Sequence, residues 1–255
     1  VTALNLQGTH ELVRKDLKSD HFIFSREYVG SRSTGYVRTP RYRGGYTKLA
    51  RAMTISAAAV GSGMGFATFF AQSFLTTLLN LRLGYWMENP WYYHQKEHNP
   101  YRRFTFWPKY LLMEMLGQLQ ARERLVNLSD GAHTGDNLGL LPMIQRRCRL
   151  ILVGDFEEDK NFGFASFNHA VRMANVEEHT EIQIDLSPLV PEKKEDGRYG
   201  RSQSSVAIGT IRYPDMKVGT LIYVKSSLNR EMLPVHVYNY HNMNRDFPHQ
   251  STGDQ

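Results

Sequence analysis

Asp130 follows the strand-like stretch Leu125-Val126-Asn127-Leu128-Ser129 and is followed at once by Gly131 and Ala132. A carboxylate at such a place projects from a sharp turn between a strand and a helix, where loops and helix N-termini converge in open α/β sheets. Two uses suit it. It can accept a proton from a neighbouring hydroxyl, or it can satisfy the backbone amides of its own turn, which is the commoner use of an aspartate there. Spacing alone does not separate them.

Other chemistry-bearing groups are weaker candidates. His94 and His98 are spaced for a metal on one helical face, but no third ligand accompanies them, and Pro90 and Pro100 argue against a helix. They read as surface or packed histidines, and His236 and His241, in a Tyr-rich tail, read as structural. His133 is a neighbour of Asp130 in sequence without a role of its own. Asp155, Glu157, Glu158 and Asp159 cluster without the ligand alternation of a calcium loop and read as a solvated acidic loop. Residues 26–51 carry Arg26, Arg32, Arg38, Arg41, Arg43, Lys48 and Arg51 against the single acid Glu27, interleaved with Tyr28, Tyr36, Tyr42 and Tyr46. A loop of that composition suits phospholipid headgroups, a single-stranded nucleic acid, or simply water. No nucleic-acid module surrounds it.

The elements that must position these groups are clearest in the second half. A strand at 125–128, a break at Gly131, a helix at 138–148 and the apolar strand 150–153 form a strand, helix, strand unit. A helix at about 164–175 and a strand at 181–186 repeat it. The expectation is an α/β fold with a mainly parallel central sheet and helices on both faces. After a solvated loop at 190–204, residues 206–211 and 220–224 read as a strand pair. Upstream, Leu111, Leu112, Met115, Leu116 and Leu119 mark an amphipathic helix over 110–125, and the aromatic segment 86–107 reads as a packed loop. Residues 52–81 carry no charge, but Gly61, Gly63 and Gly65 interrupt them, so a buried strand, a Gly-rich turn and a buried helix are expected rather than a membrane span.

Composition bounds the answer. With 255 residues, 41% of them hydrophobic and 22% charged, the chain can fill a core, which excludes disorder for most of it. One domain over 1–255 is expected. The single cysteine, Cys148, excludes an internal disulfide framework. A net charge of +6 mildly favours anionic partners. No targeting segment is recognisable, and a cytoplasmic or peripheral membrane location is expected over secretion.

The residues from Ser129-Asp130-Gly131-Ala132 through Asn137-Leu138-Gly139 and Arg146-Arg147-Cys148-Arg149 to Val153-Gly154-Asp155 resemble the aspartate region of patatin-like phospholipases and the related cytosolic phospholipases. In particular they resemble large bacterial patatin-like proteins. Stretches at 2–6, 22–25, 55–65, 80–86 and 247–255 agree with that subgroup, so the likeness spans most of the chain. It implies a modified α/β-hydrolase fold and lipid acyl-ester hydrolysis by a Ser-Asp dyad without histidine. Asp130 would be the base, Gly131, Ala132 and Asn137 would support it, and no cofactor or metal is implied. The basic residues Arg26, Arg32, Arg38, Arg41 and Arg43 would face an anionic membrane.

The chain departs from the family in one respect. No Gly-x-Ser-x-Gly elbow is present: Gly61-Ser62-Gly63-Met64-Gly65 misplaces its glycines, and Ser31 stands where the elbow around Ser33 needs a glycine. The Gly-rich oxyanion segment is also missing. In family order both parts precede Val1, so the expectation is the later part of a catalytic domain, with the nucleophile upstream or on another polypeptide. The alternatives are a patatin-like scaffold or binding subunit that has lost the nucleophile and, last, a module binding anionic polymers.

Overall fold

The computed structural model describes residues 1–6, 19–57, 84–93, 106–192, 200–229, 234–244 and 247–248. The chain forms two compact units, residues 1–137 and 138–255. The expectations for 58–83, for His94 and for His98 lie outside the described residues.

The first unit is built on a six-stranded sheet of β1 (Thr2–Asn5), β2 (Ser19–Phe24), β3 (Tyr28–Ser31), β4 (Gly35–Arg38), β5 (Tyr85–Glu88) and β6 (Leu125–Asp130). Its order is β4-β3-β2-β1-β6-β5, and every pairing is antiparallel. Leu4 lies opposite Leu128, and Met87 opposite Val126. Together with Phe22, Val29, Val37, Tyr42 and Ile55 they form the apolar core on one face. Each such side chain contributes about 1.5–3 kcal/mol by leaving water. The tight β3–β4 hairpin requires glycine at position 30, where φ is +146° and an added Cβ would sit 2.0 Å from the Gly35 carbonyl oxygen.

Among the described residues two helices belong to this unit. In α1 (Leu49–Ser56), Ile55 turns inward to the core. In α2 (Trp107–Met115), Pro108 starts the first turn, where its missing N–H costs nothing. The helix stops well short of the expected 125 because Gly117 adopts φ +64°, with Gln118 N donating to Met113 O and Gly117 N to Glu114 O. That is a Schellman end, which glycine favours. The segment 26–51, expected as a loop, contains β3, β4, a 3-10 turn at Tyr42–Gly45 and the start of α1.

The second unit holds the four-stranded sheet β7-β10-β9-β8, made of β7 (Leu150–Asp155), β8 (Glu181–Ile184), β9 (Val206–Arg212) and β10 (Val218–Lys225). Only β7 and β10 run parallel; β10–β9 and β9–β8 are antiparallel. Among the described residues three helices accompany it: α3 (Leu140–Gln145), α4 (Ala165–Glu178) and α5 (Val235–Met243). Phe167, Ala170, Met173 and Ala174 form the buried face of α4, and the Phe167 ring lies 4.5 Å from that of Tyr223. Inward residues such as Ile151, Val153, Ile211, Leu221 and Tyr223 alternate with outward ones.

The expected mainly parallel sheet with helices on both faces is therefore not the fold. One sheet is wholly antiparallel and the other is mixed. The strands and helices after 125 do alternate, but β6 pairs with β1 in one unit and β7 with β10 in the other, so no crossover joins β6 to β7. An apolar run carries no mark of strand direction, and the parallel reading rested on alternation alone. Among the described residues no helix is long and apolar enough to cross a membrane.

Candidate functional site

Asp130 is the last residue of β6, lying opposite Thr2, and is partly exposed. The chain turns at once into a short 3-10 turn, Gly131–Thr134, and the Asp130 carboxylate accepts a hydrogen bond from Ala132 N at 2.9 Å. One carboxylate oxygen is thus used as a cap, while the other takes no hydrogen bond from a described residue. Gly131 is required for space, since a Cβ there would lie 2.8 Å from Val1 O. The turn closes on Gly135 at φ +80°, whose amide donates to Ala132 O. Ala132 therefore touches Asp130 through its backbone. Asn137, expected as a supporting residue, is exposed and lies beyond the turn.

Beside this turn lies a buried polar network that sequence reasoning missed. The register β2–β1–β6 puts Ser19, His21, Asn5 and Ser129 on one face, opposite the apolar core. The turn after Asp130 folds back over that face. Ser129 Oγ lies 2.8 Å from His133 Nδ1 and receives Asn5 Nδ2 at 3.1 Å. Asn5 also donates to Asn127 Oδ1 at 2.7 Å, and Ser19 Oγ donates to His133 O at 3.0 Å.

His21 Nε2 lies 2.9 Å from Thr134 Oγ1 and 3.6 Å from Asp136 Oδ2, all deeply buried. Thr134 gives its one hydroxyl proton to Gly131 O at 2.8 Å, which assigns the remaining proton of that contact to His21 Nε2. Asp20 is fixed too: its two carboxylate oxygens accept from His21 N, Ser33 N and Ser33 Oγ. Ser129 has no solvent exposure, so its hydroxyl serves the network and is not an attacking group. The signal in the sequence was the polar run Ser19-Asp20-His21 inside a strand. Only the return of the turn at 131–136 shows what it meets.

The second unit carries a separate ionic cluster at the carboxyl ends of its parallel pair. Asp155 closes β7 and lies in register with Lys225, which closes β10. Lys225 Nζ reaches Asp155 Oδ1 at 3.0 Å and Asp159 Oδ2 at 3.5 Å, and Tyr223 OH donates to the other Asp155 oxygen. Burial, then the Asp155 carboxylate, raises the Tyr223 phenol far above its ordinary range. Burial works against the charge of Asp159. The amides of Phe164 and Gly163 and the Lys225 ammonium outweigh it and hold this carboxyl below its usual value. The solvated acidic loop expected at 155–159 is corrected here: Asp155 is buried because a lysine far along the chain neutralises it. Beyond the same strand end an open pocket of about 440 Å³ has Ser204, Ser205, Ser226, Ser227, Pro234 and Val237 among its lining residues. Among the described residues no group of His, Cys, Asp and Glu is arranged to hold a metal.

No protein-family model, no curated protein and no solved structure matches this chain.

Proposed function

We propose that this chain supplies the aspartate base of a lipid acyl hydrolase, acting on carboxylic esters through a Ser-Asp dyad of the patatin-like type. The observation that carries the reading is the setting of Asp130. It is partly exposed at a strand end on a backbone locked by Gly131 and Thr134, one oxygen tied to Ala132 N and the other uncommitted among the described residues. In the reaction the free oxygen takes the proton of a serine hydroxyl as that hydroxyl attacks the ester carbonyl. The acyl-serine then forms, the alcohol leaves with a proton, and water completes the cycle. The serine comes from outside these 255 residues, which contain no nucleophile elbow. The protein works from the cytoplasm or at a membrane surface.

The second reading is a catalytically inactive patatin-like scaffold or binding subunit. It is favoured by the cap that the Asp130 carboxylate already provides and by the burial of Ser129. One experiment separates the two: ester hydrolysis by the complete gene product beside its Asp130→Asn variant. The base reading expects a fall of about 10²–10⁴ in rate with the fold unchanged. Equal rates, or no hydrolysis by either protein, would remove Asp130 from catalysis. A helix-cap loss of about 0.5–2 kcal/mol in an Asp130→Ala variant would then be its whole contribution.

A further inference from the structure

We propose that the first unit docks on anionic lipid through one preorganised tip, formed by Tyr46, Leu49 and Met53 and set among Arg41, Arg43, Lys48 and Arg51. Tyr46 is 80% exposed, Leu49 76% and Met53 63%. Leu49 and Met53 stand one helical turn apart on α1, on the side away from the buried Ile55. A helix that packs a single isoleucine inward and presents a leucine and a methionine outward is amphipathic toward something other than its own core.

The approach to the tip is held firmly. Tyr42 is fully buried, and its hydroxyl donates to Glu88 O at 2.6 Å. Arg43 N donates to Tyr93 OH at 2.9 Å, and Tyr93 OH donates to the Glu88 carboxylate at 2.5 Å. Arg43, Gly44 and Gly45 all take positive φ, which turns the chain sharply just before Tyr46. A non-glycine residue is strained in that region, so the two tyrosine anchors hold a shape the free chain would leave. Arg41 and Lys48 are exposed, and neither they nor Arg43 and Arg51 make an ion pair with a described residue.

Charge and apolar surface together select the partner. Cations alone would suit any polyanion. Aliphatic side chains projecting between them gain nothing from a phosphodiester backbone, and single strands are gripped by stacked planar rings. At a bilayer both parts are used: the cations meet anionic headgroups, and Leu49, Met53 and the Tyr46 ring enter the boundary with the acyl chains. This surface does not depend on the role of Asp130, because binding is read without hydrolysis.

The test is flotation of the complete chain with vesicles of phosphatidylcholine alone and of phosphatidylcholine with one quarter phosphatidylglycerol, at low and high salt. Binding should favour the anionic vesicles and weaken with salt. Arg41→Gln and Lys48→Gln should each weaken it about fivefold. Leu49→Ser with Met53→Ser should weaken it about tenfold with the circular dichroism spectrum unchanged, since both residues are exposed. Absence of vesicle binding, or full binding by the Leu49/Met53 variant, would overturn the proposal. So would a single-stranded oligonucleotide that binds in preference to vesicles and loses affinity in the same variants.

Discussion

The two sheets use their faces in opposite ways. In the first unit β1 and β2 are buried along nearly their whole length, one face filled by Leu4, Phe22, Val126 and Leu128 and the other by Asn5, Ser19, His21 and Ser129. In the second unit the strands alternate strictly. Ile151, Val153, Leu221 and Tyr223 turn inward, while Leu152 and Ile208 stand 70% exposed on either side of Ile222, their common cross-strand neighbour. A sheet buried on both faces keeps most polar side chains by pairing them, so its polar face is a connected network, with Asn127 Nδ2 left without a partner among the described residues. The half-open sheet holds its buried Lys225 and Asp155 charges at the strand ends. Burial thus selects which polar groups are structural, whereas Asp130, at the end of β6, stays partly open.

Three experiments bear on that contrast. The largest effect is expected from Lys225→Met, which strands the buried Asp155 carboxylate and should cost about 3–5 kcal/mol in urea unfolding of the chain. A loss under about 1 kcal/mol would mean that water reaches the cluster and that its burial does not govern the second unit. Next is His21→Leu, which leaves the Thr134 hydroxyl and the Asp136 carboxylate without their shared partner and should cost about 1–3 kcal/mol. If limited proteolysis also finds the turn at 131–136 more readily cut, the network holds the turn; unchanged stability and cleavage would show that it does not. The smallest effect is expected from Leu152→Thr on the open face, a change within about 0.5 kcal/mol. A loss of 2 kcal/mol there would show the face to be covered in solution, and the contrast between the sheets would fall.

Several elements were legible because their signals are local. The strands at 125–128, 150–153, 206–211 and 220–224 and the turn at Asp130-Gly131 were all readable from neighbouring residues. The continuous apolar run of β7 read as a strand covered on both faces, whereas Leu150 and Leu152 stand exposed on one of them. Direction and partner were not. β6 finds β1 far back along the chain, and nothing in Leu125-Val126-Asn127-Leu128 encodes that. The short strands β3 and β4 hid inside a basic segment because four residues are too few to show a period, and their glycines read as loop. The helix expected over 138–148 shrank to Leu140–Gln145, where Arg147 takes φ +53° and ends it.

By itself the sequence determined that Asp130 would stand at a strand end on a tight turn, that no nucleophile elbow accompanies it, and that seven basic residues crowd 26–51. All of these are properties of adjacent residues. Tertiary structure alone decided that His21 lies beside Asp136, that Lys225 neutralises Asp155, and that Leu49 and Met53 face outward. Which charges are buried, paired or open depends on contacts between distant segments, and those contacts exist only once the strands have chosen their neighbours.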